Sequence, residues 1–382
     1  MTDERALVST DGVVLTILLV VVGLAGAVAA DQPTATTPER PSTDQLVAPG
    51  ESDDHVWPYT SRTRSVAGRT LALNVVVHSD AERVRRVLVA RTDADWSGVD
   101  RTESEPTSPW RPAHGSVRYT YVTRDPNAPG RWIRPSYQLA VGTYFGQRTH
   151  IRAYPGPSGD WTAIQAHTEY WDWFRVRHTV TGVGGGARFV EADLRGQPSV
   201  GSVSRMEHGH AGGGSDGGWT VVDLLPALVV TGVVVPLTRH RSIGRRLALP
   251  VTLAVLVLGV RAWGLAAEAA FPGVDPKLFV VPGYLVLAAG PPAIVATVAR
   301  DRPAARTALL AAVGLGSGIA LDAAVVGVGS LPPRVLFHRV ALMAALGVVA
   351  LGVGDDDGDG RIVGAGVVAW SVALVAPLFG LV

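Results

Sequence analysis

The sequence predicts an α+β extracytoplasmic domain followed by an all-α polytopic transmembrane bundle. Composition is the first indication: 47% of the 382 residues are hydrophobic and only 18% are charged, whereas soluble domains usually contain about 25% charged residues. Distribution is the second, because apolar runs of membrane length occur at both ends of the chain and enclose a more polar segment. These two features exclude a wholly soluble protein.

Net charge and cysteine content limit the chemistry that the chain can perform. The formal net charge is +1 and the sequence contains no cysteine. Disulfides, thiolate metal sites and cysteine nucleophiles are therefore excluded. A nearly neutral chain gives no indication of a nucleic-acid partner. Composition identifies no cofactor.

The N-terminal part is predicted to contain one membrane segment and one linker. Residues 13–30 (VVLTILLVVVGLAGAVAA) are uncharged, and a spanning helix needs about 20 apolar residues. We therefore predict a transmembrane anchor over residues 1–30. The small residues at its end also suit a signal-peptidase site, so a cleaved signal peptide is the alternative. Residues 31–56 are rich in Pro, Thr, Ser and Asp, which predicts a disordered linker.

Residues 57–197 have the composition of a folded domain and hold seven of the ten tryptophans. A segment of about 140 residues can bury a sizeable core. The apolar run at 71–78 predicts a buried strand, and the spacing of Val84, Val87 and Leu88 predicts a helix over 79–90. Further strands are predicted at residues 118–123, 137–144, 150–154 and 161–167, with a strand or short helix at 188–194, which together give an α+β domain.

The C-terminal part is predicted to be a hinge followed by a six-helix transmembrane domain. Residues 198–218 are rich in Gly and Ser, which is typical of a flexible hinge. Residues 219–382 then contain six apolar segments, and the lipid bilayer is the first expected partner. These segments cover about 219–237, 247–271, 278–298, 307–329, 340–354 and 362–382.

Arginines in the connecting segments predict the orientation. Seven lie in two connections, whereas the remaining short ones hold only Lys277 and the pair Arg334 and Arg339. Because basic residues favour the cytoplasmic side, we expect a cytoplasmic N-terminus in the cell membrane, with residues 31–218 and the C-terminus extracytoplasmic. The seven arginines are Arg239, Arg241, Arg245, Arg246, Arg300, Arg302 and Arg306.

Three stretches of the middle segment carry a family resemblance. The first is 73–79 (LNVVVHS), followed by a predicted helix and by Asp95 and Trp96; the second is 137–154 (YQLAVGTYFGQRTHIRAY); the third is 161–181 (WTAIQAHTEYWDWFRVRHTVT). Residues from about 70 to 195 resemble the LssY C-terminal domain family. The resemblance implies an α+β domain in a membrane-associated context, and it implies no biochemical activity.

Histidines and a carboxylate in the predicted strands are the candidate catalytic or metal-binding residues. His150, His167 and His178 fall in or beside predicted strands, and Glu169 follows His167 by two residues, which places both on one face. Two imidazoles and a carboxylate form a known catalytic zinc set, and a histidine with a carboxylate makes a general base. The alternative is a set of polar groups paired with neighbouring arginines.

Three charged residues fall inside predicted membrane segments: Arg261, Glu268 and Asp322. Such residues are costly in lipid and normally face the interior of a bundle. Arg261 and Glu268 share a helix face, and Arg261 and Asp322 lie at a similar depth, about 22 Å into their spans, where they can pair. They are interpreted either as a structural ion pair or as part of a polar transport path.

Several other patterns are interpreted as structural. The run Gly182–Gly186 (GVGGG) lacks a phosphate-binding lysine and predicts a turn. Glu207, His208 and His210 lie in the predicted hinge, where a solvated linker is the simpler interpretation. Trp171 and Trp173 are expected to pack in a core or against the membrane.

These observations favour a non-enzymatic protein of the cell envelope whose outer domain binds a small ligand or a partner protein. One alternative is a membrane-bound hydrolase using His150, His167, Glu169 and His178. The other alternative is a transporter using Arg261, Glu268 and Asp322.

Overall fold

The computed structural model describes residues 38–99, 118–224, 248–298, 303–328, 331–353 and 360–379. Within these residues a sheet-rich domain precedes five long apolar helices. This confirms the coarse prediction of a mixed domain joined to a helical bundle. The predicted anchor at residues 1–30 lies outside the described residues. Of the membrane segment predicted at 219–237, residues 219–224 lie in a β-strand, which corrects that prediction, and residues 225–237 lie outside the described residues.

The domain contains thirteen described strands and two helices. The strands are β1 His55–Val56, β2 Tyr59–Ser61, β3 Arg69–Ala72, β4 Val75–His78, β5 Ser97–Gly98, β6 Thr120–Thr123, β7 Arg131–Ile133, β8 Tyr137–Gly142, β9 Gln147–Pro155, β10 Thr162–Asp172, β11 Arg177–Gly182, β12 Val200–Gly212 and β13 Ser215–Leu224. The helices are α1 Ala81–Arg91 and α2 Val183–Leu194.

Eight strands form the main sheet, in the order β12-β13-β4-β10-β9-β8-β5, with β11 pairing the far end of β10. Its centre is the long antiparallel pair β9–β10, which runs in register from Thr162 opposite Pro155 to Tyr170 opposite Gln147. Strands β13 and β4 pair in parallel. Two small sheets, β1-β6-β7 and β2-β3, complete the strand structure.

Helices α1 and α2 cover one face of the main sheet. Asp80 caps α1 by accepting a hydrogen bond from the backbone N–H of Arg83 at 2.9 Å. The predicted apolar face of α1 is buried against the sheet, together with Val190 of α2. The small sheets lie over part of the opposite face, where Val56 and Val122 pack against Tyr154 and Trp161.

The predicted turn at residues 182–186 is wrong, because helix α2 begins at Val183. Gly186 explains why a glycine run starts this helix. A Cβ at Gly186 would collide with the backbone of Ala166 and His167 in β10. Gly186 therefore allows α2 to approach the sheet closely, and this requirement for space outweighs the poor helix propensity of glycine at that position.

Two segments predicted to be linkers are ordered parts of the domain. In residues 38–56, Leu46 and Val47 are buried, and the backbone of Val47 pairs with Val56 at 2.9 Å in both directions. Residues 198–218 were expected to form a hinge, but they contribute most of the β12–β13 hairpin. Gly213 and Gly214 form its turn with positive φ angles, so glycine here serves turn geometry.

The bundle consists of helices long and apolar enough to cross a membrane. The chain is therefore consistent with a multi-pass membrane protein. The helices are α3 Ala248–Ala270, α4 Lys277–Val298, α5 Ala304–Val325, α6 Pro333–Val353 and α7 Gly360–Val375, with a short 3-10 turn at Ala376–Phe379.

Small residues allow close packing inside the bundle. Gly314 and Gly318 of α5 lie against Pro250 and Ala254 of α3, where an added Cβ would meet backbone atoms. Large apolar side chains also cover the outer surface of the helices; Leu278, for example, is 68% exposed. An apolar outer surface is expected of helices surrounded by lipid.

Candidate functional site

Four of the polar residues on β9 and β10 share one face of the main sheet. His150 lies directly opposite His167, and Arg148 lies opposite Glu169. Opposed residues in an antiparallel pair point to the same side, as do residues two apart on one strand. The register therefore places two consecutive rows of polar side chains on the face opposite α1 and α2.

His150, His167 and Glu169 form a compact and fully buried cluster. One potential ligand atom from each lies within 4.8 Å of the other two. The distance from His167 Nε2 to Glu169 Oε2 is 3.1 Å, and that from His150 Nδ1 to Glu169 Oε1 is 3.4 Å. None of the three is more than 4% exposed. Bulk solvent therefore does not reach these polar groups.

Burial fixes the charge state of the cluster. It lowers the pKa of His150 well below 6.5 and also lowers the pKa of His167. Burial alone would raise the pKa of Glu169, but contacts with the two imidazoles hold that pKa well below 4.5. At neutral pH the cluster therefore consists of two neutral imidazoles and one carboxylate.

Three nitrogens of the cluster are unused within the described part of the chain. Both ring nitrogens of His150 and Nδ1 of His167 have no hydrogen-bond partner there. Leaving a buried polar group unpaired costs about 1–3 kcal/mol. Such groups in a native fold require a physical cause, and an unseen ion is one of the usual ones.

The donor set fits a divalent transition-metal ion. Neutral imidazole nitrogens and a carboxylate oxygen are the protein ligands of catalytic zinc sites and of the 2-His-1-carboxylate iron sites. Ligands about 2.1 Å from a tetrahedral ion lie about 3.4 Å apart, close to the two separations measured to Glu169. The three residues could therefore hold such an ion with small side-chain movements.

His178, the fourth residue predicted for this site, lies one layer away. Arg148 pairs with Glu169 at 2.8 Å and donates a second hydrogen bond to His178 Nδ1 at 3.2 Å. His178 Nε2 donates to the carbonyl of Tyr144 at 2.9 Å. Both ring nitrogens are therefore occupied, and His178 contacts Arg148 rather than joining the cluster of His150, His167 and Glu169.

The intramembrane charges connect the bundle to the domain. Arg261 forms a two-pronged ion pair with Asp322, with both distances 2.7 Å. The same guanidinium donates to the carbonyl of Trp171 at 2.8 Å and to the carbonyl of Phe145. The structure thus brings Arg261 and Asp322 together, and it shows that this pair also binds the backbone of the domain at two places.

Glu268 has a different partner from Arg261, although both lie on α3. Its carboxylate accepts hydrogen bonds from the backbone N–H groups of Tyr144 and Phe145, at 2.7 and 3.1 Å. These residues belong to the β8–β9 loop, residues 143–146. These hydrogen bonds between Glu268 and the loop therefore lie at the end of the bundle that the loop enters.

A second buried ion pair was not predicted from the sequence. Asp172, at the end of β10, pairs with Arg339 of α6. From the sequence, Arg339 is expected in a connection, but it is the seventh residue of a helix beginning at Pro333. Arg339 follows Pro332 and Pro333 closely in the sequence, a pattern typical of a polar loop. Its burial is explained only by the ion pair with Asp172, which is distant in the sequence.

Aromatic side chains of the domain fill the space between the helices. Phe145, Trp171, Trp173 and Phe174 belong to the same buried cluster as the helix residues. Trp173 fits against Gly264 of α3 and Gly283 of α4, where an added Cβ would lie 2.8 and 2.6 Å from its ring. The loops at residues 143–146 and 173–176, which carry three of these four aromatics, are called the docking loops below.

Comparisons of the chain with protein-family models, curated proteins and solved structures found no match. Function is therefore inferred from the geometry of the chain itself.

Proposed function

We propose that this multi-pass membrane protein binds a divalent transition-metal ion in its sheet-rich domain, with His150, His167 and Glu169 as ligands. The observation that carries the proposal is the buried group of two neutral imidazoles and an ionised carboxylate, three of whose ring nitrogens lack partners among the described residues. A bound cation would use imidazole lone pairs that the described residues leave unused, and it would share the Glu169 carboxylate with Arg148. The metal would be the small ligand of an envelope binding protein.

The proposal includes an extracytoplasmic position for the domain. The docking loops contact the end of the bundle at which α3 and α5 end and α6 begins. The connection between α4 and α5, with Arg300 and Arg302 in the sequence, and Arg306 in the first turn of α5 belong to the opposite end. Because arginine-rich connections favour the cytoplasm, the domain faces outward.

We also propose that the domain is related to the LssY C-terminal domain family. The three stretches that carry the resemblance fall in β4 with α1, in β8 with β9, and in β10 with β11, which are neighbours within one sheet. The likeness therefore covers one contiguous structural unit and includes the cluster.

Arg261, Glu268 and Asp322 support docking more directly than transport. Their charged groups are bonded to one another or to the domain. We infer that these residues hold the domain on the bundle, since a transport path requires polar groups that exchange partners during a cycle.

Metal-dependent stability tests the proposed function. The full chain in detergent is stripped with a chelator, and its Tm is measured with added Zn²⁺, Mn²⁺ or Mg²⁺. An ion at about 100 times its Kd adds roughly 2.7 kcal/mol, so we expect a shift of a few degrees for Zn²⁺ or Mn²⁺. His167→Gln should abolish the shift.

The matched control removes a second pair of histidines that lie close to each other. His208 and His210 lie half-buried on β12 of the β12–β13 hairpin, with ring centroids 5.6 Å apart. The double variant His208→Gln and His210→Gln should keep the full shift. A shift that survives His167→Gln and disappears in the hairpin variant would reject the proposed site.

A further inference from the structure

The polar face of the main sheet continues beyond the histidines. Arg152 lies opposite Gln165 in the next row along β9 and β10, and Tyr154 follows Arg152 by two residues. Arg152 is 8% exposed, and Gln165 and Tyr154 are completely buried. Residues two apart on a strand are separated by about 7 Å, so this row lies directly beside the cluster of His150, His167 and Glu169.

These side chains present hydrogen-bond donors that the described residues leave unused. Arg152 donates from Nη1 to Gln165 Oε1 at 2.7 Å. In the described part of the chain, no partner is present for Arg152 Nε, for Gln165 Nε2 or for the hydroxyl group of Tyr154. The unused groups include a guanidinium N–H, an amide N–H and a phenolic hydroxyl.

The charges of the neighbouring residues indicate that this row lacks a negative charge. Glu169 already pairs with Arg148, and Arg152 forms no ion pair with a carboxylate among the described residues. Arg118 adds a second positive charge: burial, and next the charge of Arg152, lower its pKa to about 9. Burying the guanidinium group of Arg152 without a counter-charge is costly.

We propose that Arg152, Gln165 and Tyr154 form a binding site for an oxyanion of the phosphate class. Phosphate and phosphomonoester oxygens accept several charge-assisted hydrogen bonds, and a guanidinium matches their geometry. A metal ion is excluded at this position, because an arginine N–H and an amide N–H are donors with no lone pair to offer. The oxyanion source is either free phosphate or the headgroup of a phospholipid.

The oxyanion site is separate from the proposed metal site and does not depend on it. Its donors lie in a different row, and its ligand has the opposite charge. If both sites are filled, a phosphate group lies within one strand repeat of the metal ion. That arrangement would place a phosphoryl compound beside a Lewis acid, but binding itself requires only the row of Arg152.

The test measures the Tm of the metal-free full chain in detergent with inorganic phosphate, with chloride at equal ionic strength as the reference. We expect phosphate to raise the Tm. A second arm uses nanodiscs of phosphatidylcholine alone or with phosphatidic acid, which carries a phosphomonoester headgroup. Stabilisation by both probes indicates free phosphate as a sufficient ligand, whereas stabilisation by phosphatidic acid alone indicates a lipid headgroup.

Two variants test whether the oxyanion binds at the row of Arg152 and Gln165. Arg152→Gln removes the central charge-assisted bond, and we expect phosphate or phosphatidic acid affinity to fall at least tenfold. Gln165→Glu supplies an internal carboxylate opposite Arg152. It should raise the Tm without ligand and abolish the response to the oxyanion, so it remains informative if Arg152→Gln fails to fold.

Two controls test whether the oxyanion binds specifically at this row. Arg124, an exposed arginine that bonds the carbonyl of Pro157 at 3.0 Å, tests general charge effects, and Arg124→Gln should bind the oxyanion normally. His167→Gln should also bind it normally, even if it has lost metal. No stabilisation of the wild type by either probe, or a response unchanged in Gln165→Glu, would overturn the proposal, and buried water would then satisfy these donors.

Discussion

His178 shows how one buried side chain makes stability depend on pH. It accepts from Arg148 and donates to Tyr144, which requires a neutral ring with one N–H. Burial lowers its pKa from 6.5 to about 4. An unfolded chain binds a proton at His178 below pH 6.5, whereas the folded chain does not until about pH 4. Stability therefore falls as the pH falls through this window.

We predict that His178 accounts for up to about 3 kcal/mol of stability lost between pH 6.5 and pH 4. His178→Gln keeps a donor and an acceptor without titrating, so its Tm should fall less steeply over this range than that of the wild type. The measurement is Tm against pH in detergent. His55→Gln, at the start of β1, is the control and should retain the wild-type slope. Parallel curves for His178→Gln and the wild type would contradict the assignment.

The residues of the candidate site were only partly predictable. The two-residue spacing of His167 and Glu169 places them on one face in any strand, so the local sequence alone was enough to predict that these two residues lie together. His150 joins them only because β9 and β10 pair in one register, and sequence periodicity does not specify register between strands. His178 lay in the right region, but its contacts with Arg148 and Tyr144 depend on a loop conformation that no spacing reveals.

At the scale of secondary-structure elements, the docking loops explain why glycines occur inside α3 and α4. Trp173 occupies the space at Gly264 and Gly283, and the nearest ring atoms would lie 2.8 and 2.6 Å from added Cβ atoms. A large indole ring cannot yield easily between packed helices. The glycines therefore hold open the slot into which the second docking loop inserts.

We predict that Gly283→Ala destabilises the full chain by about 1–3 kcal/mol, because overpacking forces the ring or the helix to move. Gly264→Ala should act in the same direction. Gly259→Ala is the matched control on α3, since an added Cβ there meets nothing within 4 Å. Tm and protease sensitivity of the domain measure the effect. If all three variants behave alike, Trp173 does not depend on this slot.

Elements with strong local signals were predicted well, and elements that depend on distant partners were not. The helix at 79–90 has a cap and an apolar face within twelve residues, and it forms as α1. The β12–β13 hairpin has a glycine-rich sequence and a largely exposed first strand. Its second strand is ordered by parallel pairing with β4, more than a hundred residues earlier, and composition alone therefore suggested a hinge.

At the scale of the whole molecule, hydrogen bonds and buried ion pairs join the domain to the bundle. Arg261 and Glu268 bind the first docking loop, and Arg339 binds Asp172 beside the second. Arg261 has its partner Asp322 on another helix. Buried charges paired across an interface are strongly destabilising when one side is removed, so neither part is expected to be stable alone.

We predict that residues 38–224, expressed without the helices, self-associate and have a lower Tm than the full chain. The isolated domain would expose the aromatic residues of the docking loops and leave Asp172 without Arg339. Light scattering and Tm test this. A monomeric domain with an unchanged Tm would mean that docking contributes nothing to its stability.

The central claim is that the domain holds a metal ion at His150, His167 and Glu169, and Co²⁺ binding tests it most directly. Co²⁺ reports its own coordination through visible absorption and occupies sites that suit Zn²⁺. We predict that titration of the metal-free full chain saturates at one ion per chain, with a spectrum of mixed nitrogen and oxygen ligands, and that His167→Gln and Glu169→Gln abolish it. No visible band at saturating Co²⁺, or a band unchanged in both variants, would contradict the claim.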